Sequence, residues 1–305
     1  MNTTPSSPPH ATERALVLGG GGSAGNAWVI GVIAGLAEAG LDLTTADLTI
    51  GTSSGSTTAA QIAGATPGEL YSTTVAAVPP PRPAPGAPEG ARAAPRPMAD
   101  HLKRFRAIIA MSTDAADMRR RMGALTLEED AGSDGSGSAR WRSIVAARLP
   151  RPEWPDRTTF ITAVDARTGE PVVFDRHSGV DLVDAVAAST SGGTSAYRIG
   201  DGRYIDGGYR SNAENADLAA GYGRVLVLSP LSGRSLHPLE WGTHLATQID
   251  ALRAGGSRVE TVFPDSGAAH LFGANAMDPS LRAPAARAGY DQGRAGAERL
   301  SEFWR

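Results

Sequence analysis

The order of apolar runs and glycine breaks in the first 64 residues constrains this chain most. Ala15-Leu16-Val17-Leu18 reads as a short buried strand, the glycines from Gly19 to Gly22 as a loop, and Asn26 to Ala39 as an apolar helix ended by Gly40. A second strand, Ala46-Asp47-Leu48-Thr49-Ile50, breaks at Gly51-Thr52-Ser53-Ser54-Gly55 and passes into a helix over Ser56 to Ala63. Strand, glycine loop, helix, strand, sharp turn and helix joined by connections this short predict a parallel sheet with right-handed crossovers.

At 305 residues and 41% hydrophobic content, the chain can bury a large core as one domain or as a domain carrying an insertion. A net charge of -3 provides no global positive field for nucleic acid or an anionic membrane, so no nucleic-acid partner is expected. The absence of cysteine excludes disulfides, thiolate catalysis and cysteine-based metal sites. Residues 1–14 are polar and proline-containing, lack the pattern of a secretory signal, and are expected to be a disordered tail before a domain over 15–305. The apolar run from Ala27 to Ala37 falls short of the about 20 residues a membrane span needs, which makes it a core helix. The default expectation is a cytoplasmic protein, with any membrane contact peripheral.

Eight prolines fall between Pro79 and Pro97, a composition that denies both helix and sheet hydrogen bonding. His101 to Leu125 has helical character with basic clusters, and Ala131 to Ser138 is rich in Gly and Ser. Residues 79–140 therefore read as an insertion or mobile cover within one sheet domain. Beyond it, Thr159 to Val164 and Val172-Val173-Phe174 predict a hairpin, Asp181 to Ala188 a helix, and Tyr204-Ile205 a brief strand running into Asp206-Gly207-Gly208. Val225 to Leu228 reads as another buried strand, with helices over Leu239 to Ala254 and Ala283 to Trp304.

Three glycine-marked loops carry chemistry. Gly51-Thr52-Ser53-Ser54-Gly55 fits a strand-to-helix corner that holds the Ser53 hydroxyl clear of the sheet, although the pentapeptide alone equally describes a small-residue helix cap. Gly20-Gly21-Gly22-Ser23-Ala24-Gly25 satisfies a dinucleotide fingerprint, but the second strand runs out at Ile50 into Gly51-Thr52-Ser53, with Asp42 and Asp47 before that end, and so does not end in the acidic residue that holds the ribose. Its backbone N–H groups suit instead the oxyanion of an acyl-transfer intermediate. Asp206 follows a strand and precedes Gly207 and Gly208, which leave its carboxylate uncrowded; a partly buried carboxylate within reach of Ser53 can serve as its base, and a plain Asp-Gly turn is the alternative.

In that order, and each at a strand end, the three loops resemble the patatin-like phospholipase family. The resemblance runs from about Ala15 to Pro230 and includes Arg210-Ser211-Asn212-Ala213. It implies a three-layer α/β/α fold with a mostly parallel central sheet and a lipid acyl hydrolase that cleaves esters without metal or cofactor. Ser53 matches the family's nucleophile, Asp206 its general base and Gly20, Gly21 and Gly22 its oxyanion loop, with Gly25, Gly51, Gly55, Gly207 and Gly208 supporting the turns. Two departures stand out: Ala24 occupies a position where the family commonly has Arg or Lys, and Ala188 to Ser195 replaces an often proline-containing loop.

Two other readings stay open at this point. One is an α/β-hydrolase triad using His237, His244 or His270 after Asp206. The other is an anion- or nucleotide-binding module in which the glycine loops and helix N-termini hold a ligand without catalysis.

Overall fold

The computed structural model describes residues 10–79, 98–192 and 195–305. Its strands are β1 (His10–Leu18), β2 (Leu48–Gly51), β3 (Thr158–Asp165), β4 (Pro171–Phe174), β5 (Tyr197–Ile199), β6 (Gly202–Asp206), β7 (Tyr222–Leu228) and β8 (Arg258–Val262). They form one sheet in the order β5-β6-β3-β2-β1-β7-β8, with β4 paired to β3. The run β3-β2-β1-β7-β8 is parallel throughout, and β4 and β6 lie antiparallel to β3.

Helices cover both faces. They are α1 (Gly22–Glu38), α2 (Ser54–Gly64), α3 (Pro67–Ala76), α4 (Met98–Met111), α5 (Ala115–Asp130), α6 (Ser136–Ala146), α7 (Leu182–Ser189), α8 (Leu245–Ala254) and α9 (Arg282–Trp304). Successive side chains of β1 point to opposite faces. Leu16 and Leu18 join a core shared with α1, α2, α7 and α9, while Ala15 and Val17 join a second core with Ile249 and Leu252 of α8. A third cluster packs Ile108 of α4 and Met118 of α5 against Ile205 of β6. The result is the expected three-layer α/β/α domain with a mostly parallel sheet.

The apolar helix read from the sequence is α1, buried on every side from Ala24 to Leu36 because α9 covers the face turned away from the sheet. The two axes approach closely: a Cβ on Gly31 would stand 2.0 Å from the Ala286 carbonyl oxygen. No helix among the described residues is long and apolar enough to cross a membrane.

Several expected boundaries shift. β1 begins at His10, so residues 10–14 are strand, not tail, and the remainder of the expected tail lies outside the described residues. Of the expected insertion, residues 80–97 also lie outside them, whereas the stretch 98–130 forms α4 and α5. Helix α1 starts at Gly22, inside the glycine run, instead of at Asn26. The stretch Leu239 to Ala254 divides into a 3-10 turn at Leu239–Trp241 and α8.

One detail of register positions the site. Ile161 of β3 pairs with both Gly51 of β2 and Phe174 of β4, which puts β2 and β4 on opposite edges of β3. Ala163 pairs with both Val172 of β4 and Asp206 of β6, which puts β6 opposite β4 as well. Strands β2 and β6 therefore share one edge of β3 and run toward each other, their last residues facing Ile161 and Ala163.

Candidate active site

Ser53 lies two residues beyond the end of β2, with φ 51° and ψ -123°. That left-handed backbone is rarely adopted by a residue with a side chain and costs about 1–3 kcal/mol, so the surroundings must enforce it. They do so from both sides of the turn. Thr52 N–H donates to the Leu18 carbonyl at 3.1 Å, and Gly55 N–H closes the turn onto the Thr52 carbonyl at 2.8 Å. Ser53 N–H donates to Ser189 Oγ at 2.9 Å, which pins the corner to the C-terminal end of α7.

The Ser53 hydroxyl donates to Asp206 Oδ2 at 2.8 Å. The other carboxylate oxygen, Oδ1, accepts from Gly208 N–H at 2.8 Å. Burial pushes the Asp206 pKa up to about 6, and these two hydrogen bonds pull against that rise. The group is thus ionised at neutral pH yet more basic than a solvated carboxylate, which suits it to take a hydroxyl proton.

A buried polar lattice links the two strand ends. Asn215 Nδ2 donates to Thr52 Oγ1 and to the Gly207 carbonyl, both at 3.0 Å, and Thr162 Oγ1 of β3 donates to Thr52 Oγ1 at 3.0 Å. Gly207 packs so tightly onto β3 that a Cβ there would stand 2.2 Å from Thr162 Oγ1.

The glycine loop faces this corner. A Cβ on Gly20 would come within 3.2 Å of the Ser53 Cβ. One expectation needs correction: Gly20 N–H donates to the Ala213 carbonyl at 2.8 Å and is not a free donor. The N–H groups of Gly21, Gly22 and Ser54 have no partner among the described residues. Gly22 and Ser54 open α1 and α2, where the first-turn N–H groups lack intrahelical acceptors. Ser23, Ala24 and Gly25 form the first turn of α1 rather than loop. Behind the loop sits fully buried Glu214, whose Oε1 accepts from Ser229 Oγ at 2.5 Å; burial pushes its pKa up to about 7.

The three candidate histidines are engaged elsewhere. His237 Nδ1 pairs with Thr243 Oγ1, His244 Nε2 with the His237 carbonyl and His270 Nδ1 with the Gly267 carbonyl. Burial pulls His237 down to about 4. Between Ser53 Oγ and Asp206 Oδ2 the bond is direct, with no imidazole interposed.

The family described as patatin-like phospholipase matches residues 16–218, a span that holds the glycine loop, Ser53 and Asp206. The chain belongs to the patatin-like phospholipase family. That membership carries ester hydrolysis of lipids as its general activity. Among solved structures, VipD from Legionella pneumophila aligns with 13% identity and a TM-score of 0.43, covering 95% of this chain and 67% of VipD. The type III effector protein ExoU aligns with 16% identity and a TM-score of 0.38, covering 96% of this chain and 54% of ExoU. No curated protein matches the sequence.

The patatin-like match ends before α8 and α9, which extend the family region with a further helix on each face. Three residues that shape the site carry no motif of their own: Ser189, Asn215 and Glu214. Their signal is a polar side chain fully buried beside apolar neighbours, which only the fold reveals.

Proposed function

We propose that this chain is a lipid acyl hydrolase that cleaves carboxylic esters with Ser53 as nucleophile and Asp206 as its general base. The observation that carries the reading is the 2.8 Å hydrogen bond from Ser53 Oγ to Asp206 Oδ2 within a strained strand-to-helix corner. Asp206 takes the hydroxyl proton as Ser53 Oγ attacks the ester carbonyl carbon. The carbonyl oxygen becomes an oxyanion, held by the free N–H groups of Gly21, Gly22 and Ser54; each such donor contributes about 10²–10³ in rate. Collapse of the intermediate expels the alcohol, which leaves with the proton from Asp206, and an acyl-Ser53 ester remains. Water then attacks that ester while Asp206 accepts its proton, and the fatty acid departs as Ser53 recovers its hydrogen.

Ser189 and Gly20 serve this scheme by their placement. Because Ser53 N–H is already bonded to Ser189, the donors face the carbonyl from the glycine loop and from α2. With no side chain at Gly20, the carbonyl can approach Ser53 from that side. No metal or cofactor is needed for any of these steps, and the substrate meets the protein at the lipid surface by peripheral contact.

Hydrolysis of a p-nitrophenyl acyl ester tests the reading. The wild type should turn over, and Ser53→Ala and Asp206→Asn should each fall to the buffer rate while remaining folded. A serine-directed fluorophosphonate should label Ser53. Full activity in either variant, or labelling at another serine, overturns it.

A further inference from the structure

The chain between β8 and α9 folds back across the first turn of α1 and lies outside the region that the family matches. Bonds at several points fix it there. Ala24 N–H donates to the Ala276 carbonyl at 2.9 Å, and Asn275 Nδ2 donates to the His270 carbonyl at 2.9 Å. Arg282 Nη1, where α9 begins, donates to the Ser23 carbonyl at 3.0 Å and to Asn26 Oδ1 at 3.1 Å. Upstream, Phe272 meets Trp28 of α1 edge to face, the ring centres 6.2 Å apart. The segment is thus anchored to α1 at Phe272, Ala276 and Arg282, and what lies between keeps its place beside the glycine loop.

Leu271, Phe272 and Ala276 are buried in this segment, whereas the Met277 side chain is 54% exposed. Met277 nonetheless touches the loop: a Cβ on Gly22 would stand 2.9 Å from Met277 Sδ and 2.9 Å from the Ala276 carbonyl oxygen. An apolar thioether therefore faces solvent beside Gly22, whose N–H has no partner among the described residues. Apolar surface in that position gains free energy when another apolar group covers it. The unbranched, flexible side chain of methionine adapts to the shape of what covers it.

The layout of the site selects the part of the substrate that does so. Strand β2, beyond whose end Ser53 lies, runs between β1 and β3. The glycine loop follows β1, whereas Asp206 is held on β3 by its pairing with Ala163. At the tetrahedral carbon formed by Ser53, the oxyanion points to the glycine loop and the alkoxy oxygen to Asp206, from which the leaving alcohol takes its proton. The acyl chain is the remaining substituent, two bonds from the oxyanion. The segment carrying Met277 comes to the loop from β8, and β7 and β8 extend the sheet on the side of β1 away from β2 and β3. We propose that Met277 is a specificity-determining residue that contacts the acyl chain next to the scissile carbonyl and sets the preferred chain length. This role rests on the hydrolase reading above.

Two series of esters test it. The first runs from p-nitrophenyl acetate to p-nitrophenyl octanoate, each below the concentration at which it forms micelles. Met277→Ser removes the apolar contact and should lower the octanoate-to-acetate ratio of kcat/KM about tenfold, chiefly through KM. Met277→Trp fills the same space and should move the optimum to shorter chains by about two carbons. The second series keeps a butyryl group and changes the alcohol from p-nitrophenol to 2-naphthol; wild type and both variants should give the same ratio. Because Met277 is exposed, both variants should unfold at the wild-type urea midpoint.

A chain-length profile shared by the wild type, Met277→Ser and Met277→Trp overturns the inference and leaves the hydrolase reading intact. A change confined to the alcohol series also overturns it, by placing Met277 on the leaving-group side. If the wild type cleaves none of the esters, the hydrolase reading fails and the inference falls with it.

Discussion

The side-chain amide of Asn215 donates to the Thr52 hydroxyl at 3.0 Å, joining positions 163 residues apart. Its second bond, to the Gly207 carbonyl, means that one side chain holds both the residue before Ser53 and the residue after Asp206. Asn215 takes a left-handed backbone, φ 55°, to present the amide there.

Asn215→Ala should therefore lower both stability and rate. Leaving the buried Thr52 hydroxyl and Gly207 carbonyl short of a donor costs about 2–3 kcal/mol, read as a lower urea midpoint. A displacement of about 1 Å between Ser53 and Asp206 costs on the order of 10²-fold in kcat. A variant with full kcat would show that the lattice does not set their spacing.

The pH dependence should carry the signature of Asp206. Only its carboxylate can accept the Ser53 proton, so kcat/KM should rise with pH through about 6 and then level off. Alanine at His237, His244 or His270 should leave that rising limb in place; loss of activity in one of them would restore the triad reading.

Stability should respond in the opposite sense. Folded Asp206, at about 6, binds its proton more tightly than an unfolded aspartate at about 3.9, so protonation favours the native state. This contribution is fully present near pH 4 and is lost as pH rises through about 6. Asp206→Asn removes the cost of the buried charge and should be more stable than the wild type at pH 8 by about 2–3 kcal/mol, with the difference vanishing near pH 4, as followed by denaturant unfolding.

Strain at Ser53 separates two substitutions there. Ser53→Gly relieves the left-handed backbone and should stabilise the fold by about 1–2 kcal/mol, whereas Ser53→Ala keeps the strain and should not. Equal melting temperatures for the two would mean that the corner is not strained.

Glycine replacements distinguish space needed by substrate from space needed by the fold. The Cβ of Gly20→Ala meets Ser53 Cβ at 3.2 Å, so this variant should stay within about 1 kcal/mol of wild-type stability while losing at least tenfold in kcat/KM. At Gly207 the added methyl would stand 2.2 Å from Thr162 Oγ1, and Gly207→Ala should fail to fold or unfold at much lower denaturant.

The fold and the central pair were legible because both are written in local patterns. Apolar runs of strand length, broken by glycine corners, mark β1, β2, β6 and β7, and the corner after Ile50 places Ser53 without reference to any tertiary contact. What stayed hidden depends on distant partners. The commitment of Gly20 N–H to Ala213 follows from how the loop after β6 folds back, and nothing near Gly20 announces it. Ser189, Asn215 and Glu214 are ordinary polar residues until burial gives them specific partners. The start of α1 at Gly22 is not legible in the sequence because glycine is a poor helix former, a preference outweighed here by tight packing against Pro230 and Ala276.

The meeting of β2 and β6 on one edge of β3 has a consequence for how this protein can diversify. Ser53 and Asp206 are both measured from Ile161 and Ala163, not from each other along the chain. The helices between β2 and β3 can therefore lengthen, shorten or change their surface chemistry while the two side chains keep their spacing. Variation in the surface those helices present is mechanically uncoupled from the spacing of Ser53 and Asp206.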